Sequence, residues 1–332
     1  MTMTAQTLLD SARSDDRPVI AMSEGNDPRI VAGALAARDA GIADIILVGD
    51  QAEVSAQLNA LGRTAADGVA IHDPSTSDLS TAFAEAFFEL RKHKGIDMER
   101  AEREVLNPLV YAAMLVRLGH AAGTVGGAVA ATPDIVRAAL QVIGKAKDAP
   151  LVSSFFLMFP PSDSGRAMVY ADCGLVIDPS SEEQAAIAAA SSQSCKALLE
   201  TDPKVAFLSF STKGSARHPM VDKVSEAAAI FAAQNPEIPS DGELQFDTAF
   251  VPSVGNRKAP DSAVAGQANV MIFPSLDAGN IAYKITQRLG GYAAIGPILQ
   301  GLKQPANDLS RGCSAEDVTT MIAVTVKQAD QH

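Results

Sequence analysis

Short apolar runs alternate with helix-length segments along this chain, and this alternation constrains its fold more than any other feature. Residues 18–23 and 44–48 have the length and composition of buried strands, and residues 28–40 between them have the length of a helix. Two strands that are joined by a helical crossover run parallel in one sheet. The pattern recurs towards the C-terminus, so we expect an α/β fold built on parallel sheets.

The same signals predict the remaining elements. Further helices are expected at residues 79–94, 107–118, 135–143, 180–199, 220–233, 279–288 and 314–327. Further strands are expected at residues 151–158, 167–171, 175–177, 205–210, 270–273 and 293–299. Thr132 followed by Pro133 predicts a helix that begins with Thr132 as its N-cap. Residues 314–317, Ser-Ala-Glu-Asp, have the form of a capping box with Asp317 as its acid.

The composition limits both the core and the partners. The 332 residues are 47% hydrophobic but only 5% aromatic, without tryptophan, so an aliphatic core of one large or two ordinary domains is expected. A net charge of −12 argues against a nucleic-acid or anionic-membrane surface. An anionic ligand would therefore need a local cluster of arginine and lysine.

Metal, disulfide and targeting signals are not recognisable in this sequence. Cys173, Cys195 and Cys313 lie far apart, and five scattered histidines have no metal-ligand spacing, so we expect no disulfide framework and no metal. The N-terminus lacks the pattern of a signal peptide, and no run approaches 18 apolar residues. We therefore expect a cytoplasmic protein that is not bound to membranes.

A polar cluster near the C-terminus carries most of the functional information. Asn307, Asp308, Ser310, Arg311 and Asp317 fall within eleven residues, between a predicted strand and a predicted helix. Ligand sites of α/β proteins lie where strands end and helices begin, so this cluster could hold an anion and move a proton. A glycine-rich loop at residues 123–127 is a weak phosphate signal, because it matches neither a dinucleotide nor a Walker motif.

Several blocks of the sequence resemble the phosphate acetyltransferase family (phosphotransacetylases). They include ANVMIFPSLDAGNIAYKITQR, GPILQGLKQPANDLSRGCSAED, GTVGGAVAATPDIVRAALQVIG and LSFSTKGSARHPMVDKV, and the match runs from about residue 18 to about residue 327. The resemblance implies two doubly wound α/β domains with an interdomain cleft, like isocitrate and isopropylmalate dehydrogenases. It also implies a discontinuous domain I, residues 1–147 plus 298–332, and a domain II of residues 148–297.

The resemblance implies acetyl transfer between acetyl phosphate and coenzyme A, with three catalytic residues. Arg311 would bind the phosphate side, since a guanidinium matches phosphate oxygens. Ser310 would donate a hydrogen bond to the carbonyl oxygen or the leaving group. Asp317 would be the base for the thiol. From the residues alone, Arg311 could equally be a surface arginine, Ser310 a turn serine and Asp317 a capping acid.

A second set of residues would bind the substrates, according to the same resemblance. The expected set is Arg288, Arg137, Arg91, Thr132, Ser211, Lys213, Gly214, Ser215, Lys284 and Asn280. Each of the arginines alone would more often be a solvated charge or a cation at a helix end. Coenzyme A is a substrate in this scheme, no cofactor or metal is expected, and the family resemblance implies a homodimer.

Three alternative functions remain open at this point. A phosphate butyryltransferase belongs to the same superfamily, although the blocks around Ser310 and Asn280 look more like the acetyl branch. A non-catalytic domain that senses acetyl-CoA would normally follow a malic-enzyme region, which the sequence lacks. A dehydrogenase of similar fold would need metal-binding aspartates and a nicotinamide site, and no motif indicates either.

Overall fold

The computed structural model describes residues 3–66, 68–161 and 165–331 of the chain, which contain thirteen α-helices and eleven strands. The helices are α1 Ala5–Ser11, α2 Pro28–Asp39, α3 Gln51–Ala60, α4 Ser80–Arg91, α5 Met98–Val105, α6 Pro108–Arg117, α7 Thr132–Val142, α8 Ser181–Leu199, α9 Pro219–Gln234, α10 Phe246–Phe250, α11 Pro252–Lys258, α12 Leu276–Arg288 and α13 Ala315–Ala329. The strands are β1 Val19–Met22, β2 Asp44–Val48, β3 Val69–His72, β4 Gly123–Gly126, β5 Ser153–Phe159, β6 Met168–Ala171, β7 Val205–Leu208, β8 Ser240–Leu244, β9 Val270–Ile272, β10 Ala293–Gln300 and β11 Ala306–Asp308. The α/β class that the sequence predicted is confirmed.

The chain forms two compact units. One, which we call the split unit, comprises Gln6–Lys147 and Leu302–His332. The other, which we call the continuous unit, comprises Asp148–Gly301 together with Met1–Ala5. The boundary that the sequence suggested between residues 297 and 298 falls inside β10. Residues 298–300 of that strand pair with β5, so they stay in the continuous unit.

The split unit is built on a five-stranded sheet in the order β11-β4-β1-β2-β3, and all of its paired strands are parallel. Helices cover both faces of this sheet. A side chain at Gly123 of β4 would meet Thr325 of α13, whereas one at Gly126 would meet Ile135 of α7. Because residues three apart on a strand point to opposite faces, α13 and α7 lie on opposite sides. This arrangement buries the sheet and leaves its carboxyl edge for loops.

The continuous unit has a six-stranded sheet in the order β10-β5-β6-β9-β7-β8. β6, β9, β7 and β8 run parallel, but β5 pairs antiparallel with both β10 and β6. This sheet is therefore mixed, with an antiparallel strand that the sequence did not predict. β5 reads SSFFLMF, in which two serines precede five consecutive apolar residues, and all seven of its residues are buried. Such a run indicates a central strand without fixing its direction.

Local capping explains why most helices begin where the sequence predicted. Asp27 accepts a hydrogen bond from the amide of Arg29 at 2.8 Å, and Pro28 opens α2. Asn107 accepts from the amide of Leu109 at 2.9 Å before α6. At the start of α8, Ser180 and Glu183 form a complete capping box.

The predicted strand at residues 175–177 does not form. The carboxylate of buried Asp172 accepts hydrogen bonds from the backbone amides of Gly174, Leu175 and Val176 at 2.7, 2.9 and 3.3 Å. These amides bond a single carboxylate, so the segment folds as a loop around Asp172 rather than joining the ladder of a sheet.

No helix among the described residues is both long enough and apolar enough to cross a membrane.

Candidate active site

The loops that follow β1, β4 and β11 meet at the carboxyl edge of the sheet in the split unit. The strand order changes direction here, because β1, β2 and β3 follow one another on one side while β4 and β11 lie on the other. Open α/β sheets bind their ligands at such a switch point. Six of the predicted catalytic and substrate-binding residues belong to this unit: Arg91, Thr132, Arg137, Ser310, Arg311 and Asp317.

An internal carboxylate occupies the glycine-rich loop after β4. Glu24, which is only 8% exposed, accepts hydrogen bonds from the amides of Gly127, Ala128, Val129 and Ala130 at 2.7 to 3.1 Å. Gly127 has a φ of +99°, a conformation that favours glycine. The four backbone amides that could have bound a phosphate already donate their hydrogen bonds to the Glu24 carboxylate. The loop is therefore a structural support for the site.

Thr132 does not cap α7, contrary to the sequence prediction. Ala131 occupies the N-cap position without a side-chain bond, and Thr132 is the first helical residue. The Thr132 hydroxyl donates instead to Oδ2 of Asp308 at 2.5 Å. This tertiary bond joins the start of α7 to the end of β11, two positions before Ser310.

Asp308 is a completely buried carboxyl group at the end of β11. Burial is the main reason why its pKa is raised to about 7; the hydrogen bond from Thr132 acts against this shift, and the charge of Glu24 adds to it. Oδ1 of Asp308 has no hydrogen-bond partner within the described part of the chain. The missing side chain of Gly127 makes room for it, since a Cβ there would lie 2.0 Å from Oδ1.

Arg29 ties three loops together, and the sequence analysis did not select it. Its guanidinium donates to Asp27 at 2.8 and 3.0 Å, to the carbonyl of Ala128 at 2.8 Å and to the carbonyl of Arg311 at 2.7 Å. A longer bond of 3.4 Å reaches the carbonyl of Cys313. These contacts use the planar fork of arginine on groups from all three loops. The Asp-Pro-Arg sequence at the start of α2, in the βα connection after β1, was the signal that could have indicated it.

The loop after β11 presents Ser310 and Arg311 to solvent. The amide of Leu309 donates to the carbonyl of Gly126 at 2.7 Å, and the amide of Cys313 donates to the carbonyl of Ser310 at 2.9 Å. The Arg311 side chain is exposed, and its guanidinium forms no hydrogen bond or ion pair with the described residues. The backbone is thus fixed while the cation is available to a ligand.

The predicted capping box at the start of α13 is confirmed. Oδ2 of Asp317 accepts a hydrogen bond from the amide of Ser314 at 2.9 Å, and the Ser314 hydroxyl accepts one from the amide of Asp317 at 3.2 Å. Asp317 is partly exposed. Its carboxylate therefore has a structural task at the helix start, and one oxygen remains for a further partner.

The two arginines of the split unit that were predicted to bind substrate, Arg137 and Arg91, are placed differently. Arg137 forms an ion pair with Asp134 at 2.8 Å on the exposed side of α7. Arg91 ends α4, which packs against α7, and is partly buried. Its Nε has no hydrogen-bond partner among the described residues. A guanidinium in this state can still accept an anionic partner.

The other seven predicted binding residues belong to the continuous unit, where four of them surround Glu243. The Ser211 hydroxyl and the Gly214 amide donate to Oε1 of Glu243 at 2.9 and 2.7 Å, while the hydroxyls of Ser211 and Ser215 lie 3.2 Å apart. Burial alone would raise the pKa of Glu243, but these hydrogen bonds outweigh it and the pKa is lowered. Lys213 pairs with Asp241. The polar groups of this loop are therefore largely used within the fold.

The remaining three predicted residues line one side of α12, at positions 280, 284 and 288. Asn280 donates to the carbonyl of Cys173 at 3.0 Å, and Lys284 donates to Oδ1 of Asn280 at 2.6 Å. Arg288 lies exposed in the last turn of the helix. α12 follows β9 and the Ser211 loop follows β7, which is the neighbouring strand. Both groups thus lie at the carboxyl edge of this unit's sheet.

No group of three or more potential metal-ligating histidine, cysteine, aspartate or glutamate residues occurs in the part of the chain that the structure describes.

An arginine-bearing loop at the switch point of a parallel sheet defines an α/β protein with a candidate anion site. A family model described as phosphate acetyl/butaryl transferase matches residues 3–326 of this chain. The chain is 46% identical over 322 residues to a phosphate acetyltransferase of Paracoccus denitrificans, and the alignment covers 96% of this chain and 97% of that protein. The chain therefore belongs to the phosphate acetyl/butaryl transferase family.

Comparison with solved structures agrees with this family assignment. A crystal structure of a phosphotransacetylase from Streptococcus pyogenes is 44% identical, covers 99% of this chain and 100% of its own, and has a TM-score of 0.93. A putative 4-hydroxythreonine-4-phosphate dehydrogenase from Salmonella typhimurium is 14% identical over 94% of this chain and 100% of its own, with a TM-score of 0.54. This second likeness concerns the fold alone, and it agrees with the dehydrogenase-like architecture expected from the sequence.

Proposed function

We propose that this protein transfers an acetyl group between acetyl phosphate and coenzyme A, which yields acetyl-CoA and phosphate. The relative from Paracoccus denitrificans reported above is named phosphate acetyltransferase, and the alignment covers 97% of its length. The observation that carries the proposal in the molecule itself is the exposed Arg311 guanidinium, which lies just before the N-terminus of α13 without a partner among the described residues. Both the guanidinium and the helix start favour a phosphate group.

The chemistry follows from direct attack by the thiolate of coenzyme A on the acetyl carbonyl while both substrates are bound. Arg311 holds the phosphate, and Ser310 donates a hydrogen bond to the carbonyl oxygen or the leaving group. Coenzyme A brings its own nucleophile, so the scheme needs neither an acyl-enzyme nor a cofactor. We assign substrate binding to the set that the sequence selected, in which Arg91 and Arg288 supply positive charge without a structural ion pair among the described residues.

The first experiment measures acetyl-CoA formation from acetyl phosphate and coenzyme A by the purified protein, with propionyl and butyryl phosphate in parallel. We expect acetyl phosphate to be the preferred donor. A preference for the longer acyl groups would assign the protein to the butyryl branch of the family. Saturable binding of acetyl-CoA without transfer from any donor would instead indicate a sensing domain.

Asp317 is our proposed base for the thiol, and its role can be separated from helix capping. Asp317→Asn keeps an oxygen that can accept from the Ser314 amide, so α13 should keep its start. We expect kcat to fall much more than the affinity for coenzyme A. Ser314→Ala serves as the control, because it breaks the same capping box and should cost about 1 kcal/mol of stability with little loss of turnover. Equal turnover in Asp317→Asn and the wild type at every pH would leave Asp317 as a cap alone.

We also propose a cytoplasmic homodimer. The three cysteines are free and buried, which suits a reducing compartment. The dimer proposal is supported by α12, where Ile281, Ile285 and Leu289 are 58%, 53% and 85% exposed. These positions are four residues apart and form one apolar stripe. A second copy of the chain could cover the stripe through a two-fold contact.

Light scattering after size-exclusion chromatography tests the dimer. Ile285→Asp places a charge in the middle of the stripe and should shift the protein towards monomer, because the charge would have to be desolvated in the interface. Leu61→Asp, at an exposed leucine of the split unit, is the matched control and should leave the mass unchanged. A dimer that persists in Ile285→Asp at micromolar concentration would exclude this face of α12.

A further inference from the structure

The proposed reaction requires two proton movements. The thiol gives up a proton when its sulfur attacks, and the phosphate oxygen that leaves the acetyl carbon must gain one. Without that second proton, the leaving group would be the phosphate trianion, which is too basic to depart readily near neutral pH. A side chain whose pKa lies near the working pH is best suited to supply it.

The Thr132–Asp308 pair has the geometry of such a donor. Thr132 is a partly exposed residue, and its hydroxyl lies 2.5 Å from Oδ2 of the fully buried Asp308, which precedes Ser310 by two positions. Oδ1 of Asp308 has no hydrogen-bond partner among the described residues. A buried carboxyl group with one partnered oxygen is costly to ionise, and it can exchange a proton with the site through the threonine.

The surroundings of Asp308 favour its protonated form. Its pKa is raised to about 7, first by burial and also by the charge of Glu24 in the loop after β1. No cation among the residues that the structure describes forms an ion pair with Asp308. Arg29 donates to Asp27 and to backbone carbonyls instead.

Within the described part of the chain, the helices packed against β11, α7 and α13, bring no cation into an ion pair with Asp308. On α7, the carboxylate of Asp134 is paired with Arg137 on the exposed face of the helix. On α13, Thr325 and Gln328 contact the neighbouring Asn307 through hydrogen bonds of 2.9 and 2.7 Å. The acid of α13 at the site, Asp317, accepts from the amide of Ser314. Two carboxyl groups of the same site therefore have contrasting environments, which is how sites divide acid and base roles.

We propose that Thr132 and Asp308 form a proton relay that protonates the departing phosphate. The relay rests on the proposed acetyl transfer. The sulfur of coenzyme A loses its proton to Asp317 and forms the S–C bond, and the C–O bond to phosphate breaks with its electron pair on oxygen. Thr132 gives its hydroxyl proton to that oxygen and takes the proton of Asp308. Thioester and hydrogen phosphate result, and the proton on Asp317 returns to Asp308 through solvent.

Protonation of Asp308 also sets the direction of the Thr132 hydroxyl. When Asp308 is ionised, Thr132 donates its hydrogen to Oδ2. When Asp308 is protonated, the carboxyl group donates to Thr132, and the threonine hydrogen is free to point at a substrate oxygen. Asp308 therefore acts through Thr132 as a proton reservoir and a positioning residue, and Thr132 is the group that touches the substrate.

The test measures kcat against pH for the wild type, Asp308→Asn, Thr132→Val and Thr132→Ser. The relay needs protonated Asp308, so wild-type kcat should fall as the pH rises through about 7. Asp308→Asn should lower kcat by roughly 10²-fold or more and lose this falling limb, because an amide cannot release a proton. Thr132→Val should be similarly slow, whereas Thr132→Ser should retain most of the rate. Asp50→Asn, which alters the cap of α3 conservatively, is the control.

A second acyl donor separates proton donation from simple misfolding of the site. Acetyl methyl phosphate releases methyl phosphate dianion, which leaves without a proton. The loss of rate in Asp308→Asn should therefore be much smaller with this donor than with acetyl phosphate. A site that is merely distorted would be slow with both donors, and that result would overturn the relay.

The unfolding free energy gives a readout that does not depend on activity. Between pH 3.8 and about 7, Asp308 is ionised in the unfolded chain and protonated in the folded one. The folded state then binds more protons, so stability should fall as the pH rises across this range, relative to Asp308→Asn. Absence of this difference, or wild-type kcat and pH profile in Asp308→Asn, would overturn the relay. If the stability difference is present but the wild type shows no turnover, the proposed acetyl transfer is wrong. The relay, which depends on that reaction, is then wrong as well.

Discussion

Replacing Arg311 with alanine should lower kcat/KM for acetyl phosphate by roughly 10²- to 10³-fold while leaving the unfolding free energy almost unchanged. The guanidinium is exposed and has no hydrogen-bond or ion-pair partner among the described residues, so its removal takes no such bond from the fold. The structural bond of this residue is made by its backbone carbonyl to Arg29, and alanine keeps that carbonyl. Steady-state kinetics and urea unfolding of the same preparation measure the two effects.

The chemistry of the side chain can be tested further with Arg311→Lys. Lysine keeps the charge but cannot offer two parallel donors to a phosphate, so we expect an intermediate rate and a raised KM for acetyl phosphate. Arg100→Ala removes an exposed arginine whose one ion pair with the described residues is to Glu104 on α5, and it should behave as the wild type. Normal turnover in Arg311→Ala would remove Arg311 from the mechanism.

Local sequence signals predicted those parts of the fold that local chemistry determines. The strand at residues 44–48 was predicted with its observed bounds, and α2 was predicted to within one residue, because Asp27 and Pro28 mark its start. The capping box of Ser314 and Asp317 was likewise readable from four consecutive letters. Signals of this kind act over a few residues, so one sequence is enough to read them.

Two of the three strands that lead into the site, β4 and β11, escaped prediction because most of their residues have little intrinsic preference for strands. β4 reads Gly-Thr-Val-Gly and β11 reads Ala-Asn-Asp, and glycine, asparagine and aspartate are poor strand formers. These segments are extended because they pair with neighbours: β11 pairs with β4, and β4 pairs with β1. The pairing partners are distant in the chain, so tertiary contacts overrode local propensity.

The site residues that were misjudged or missed depend on the same long-range contacts. Thr132 looked like a cap, but its hydroxyl bonds Asp308, which lies 176 positions away in the chain. The glycine-rich loop looked like a weak phosphate signal, but Glu24, more than 100 positions away, occupies its amides. Arg29 reaches Arg311 across 282 positions. The sequence alone contains no signal that would pair these residues, and only the topology of the sheet brings them together.

Arg29 is the residue whose loss should be most damaging to the fold and the site together. Its guanidinium bonds Asp27, whose side chain is 10% exposed, and the carbonyls of Ala128 and Arg311. Arg29→Met keeps the apolar stem but leaves these acceptors without their donor. A cost of about 2–4 kcal/mol in unfolding free energy is expected, since each unsatisfied buried acceptor costs about 1–3 kcal/mol and the structure relaxes in part. Arg29→Lys should recover little, because an ammonium cannot span three loops as a planar fork does.

A double-mutant cycle distinguishes a clamp from a residue that binds substrate itself. As a clamp, Arg29 affects turnover by holding the backbone of Arg311, so Arg29→Met should lower kcat in the wild type but add little to Arg311→Ala. The loss of stability should persist in the double variant, because the bonds to Asp27 and Ala128 do not involve the Arg311 side chain. Additive losses of kcat/KM in the double variant would contradict the clamp and assign Arg29 a contact of its own with the substrate. Full stability in Arg29→Met would show that other contacts hold the three loops together. The next contacts to test would be the four hydrogen bonds that backbone amides donate to the Glu24 carboxylate.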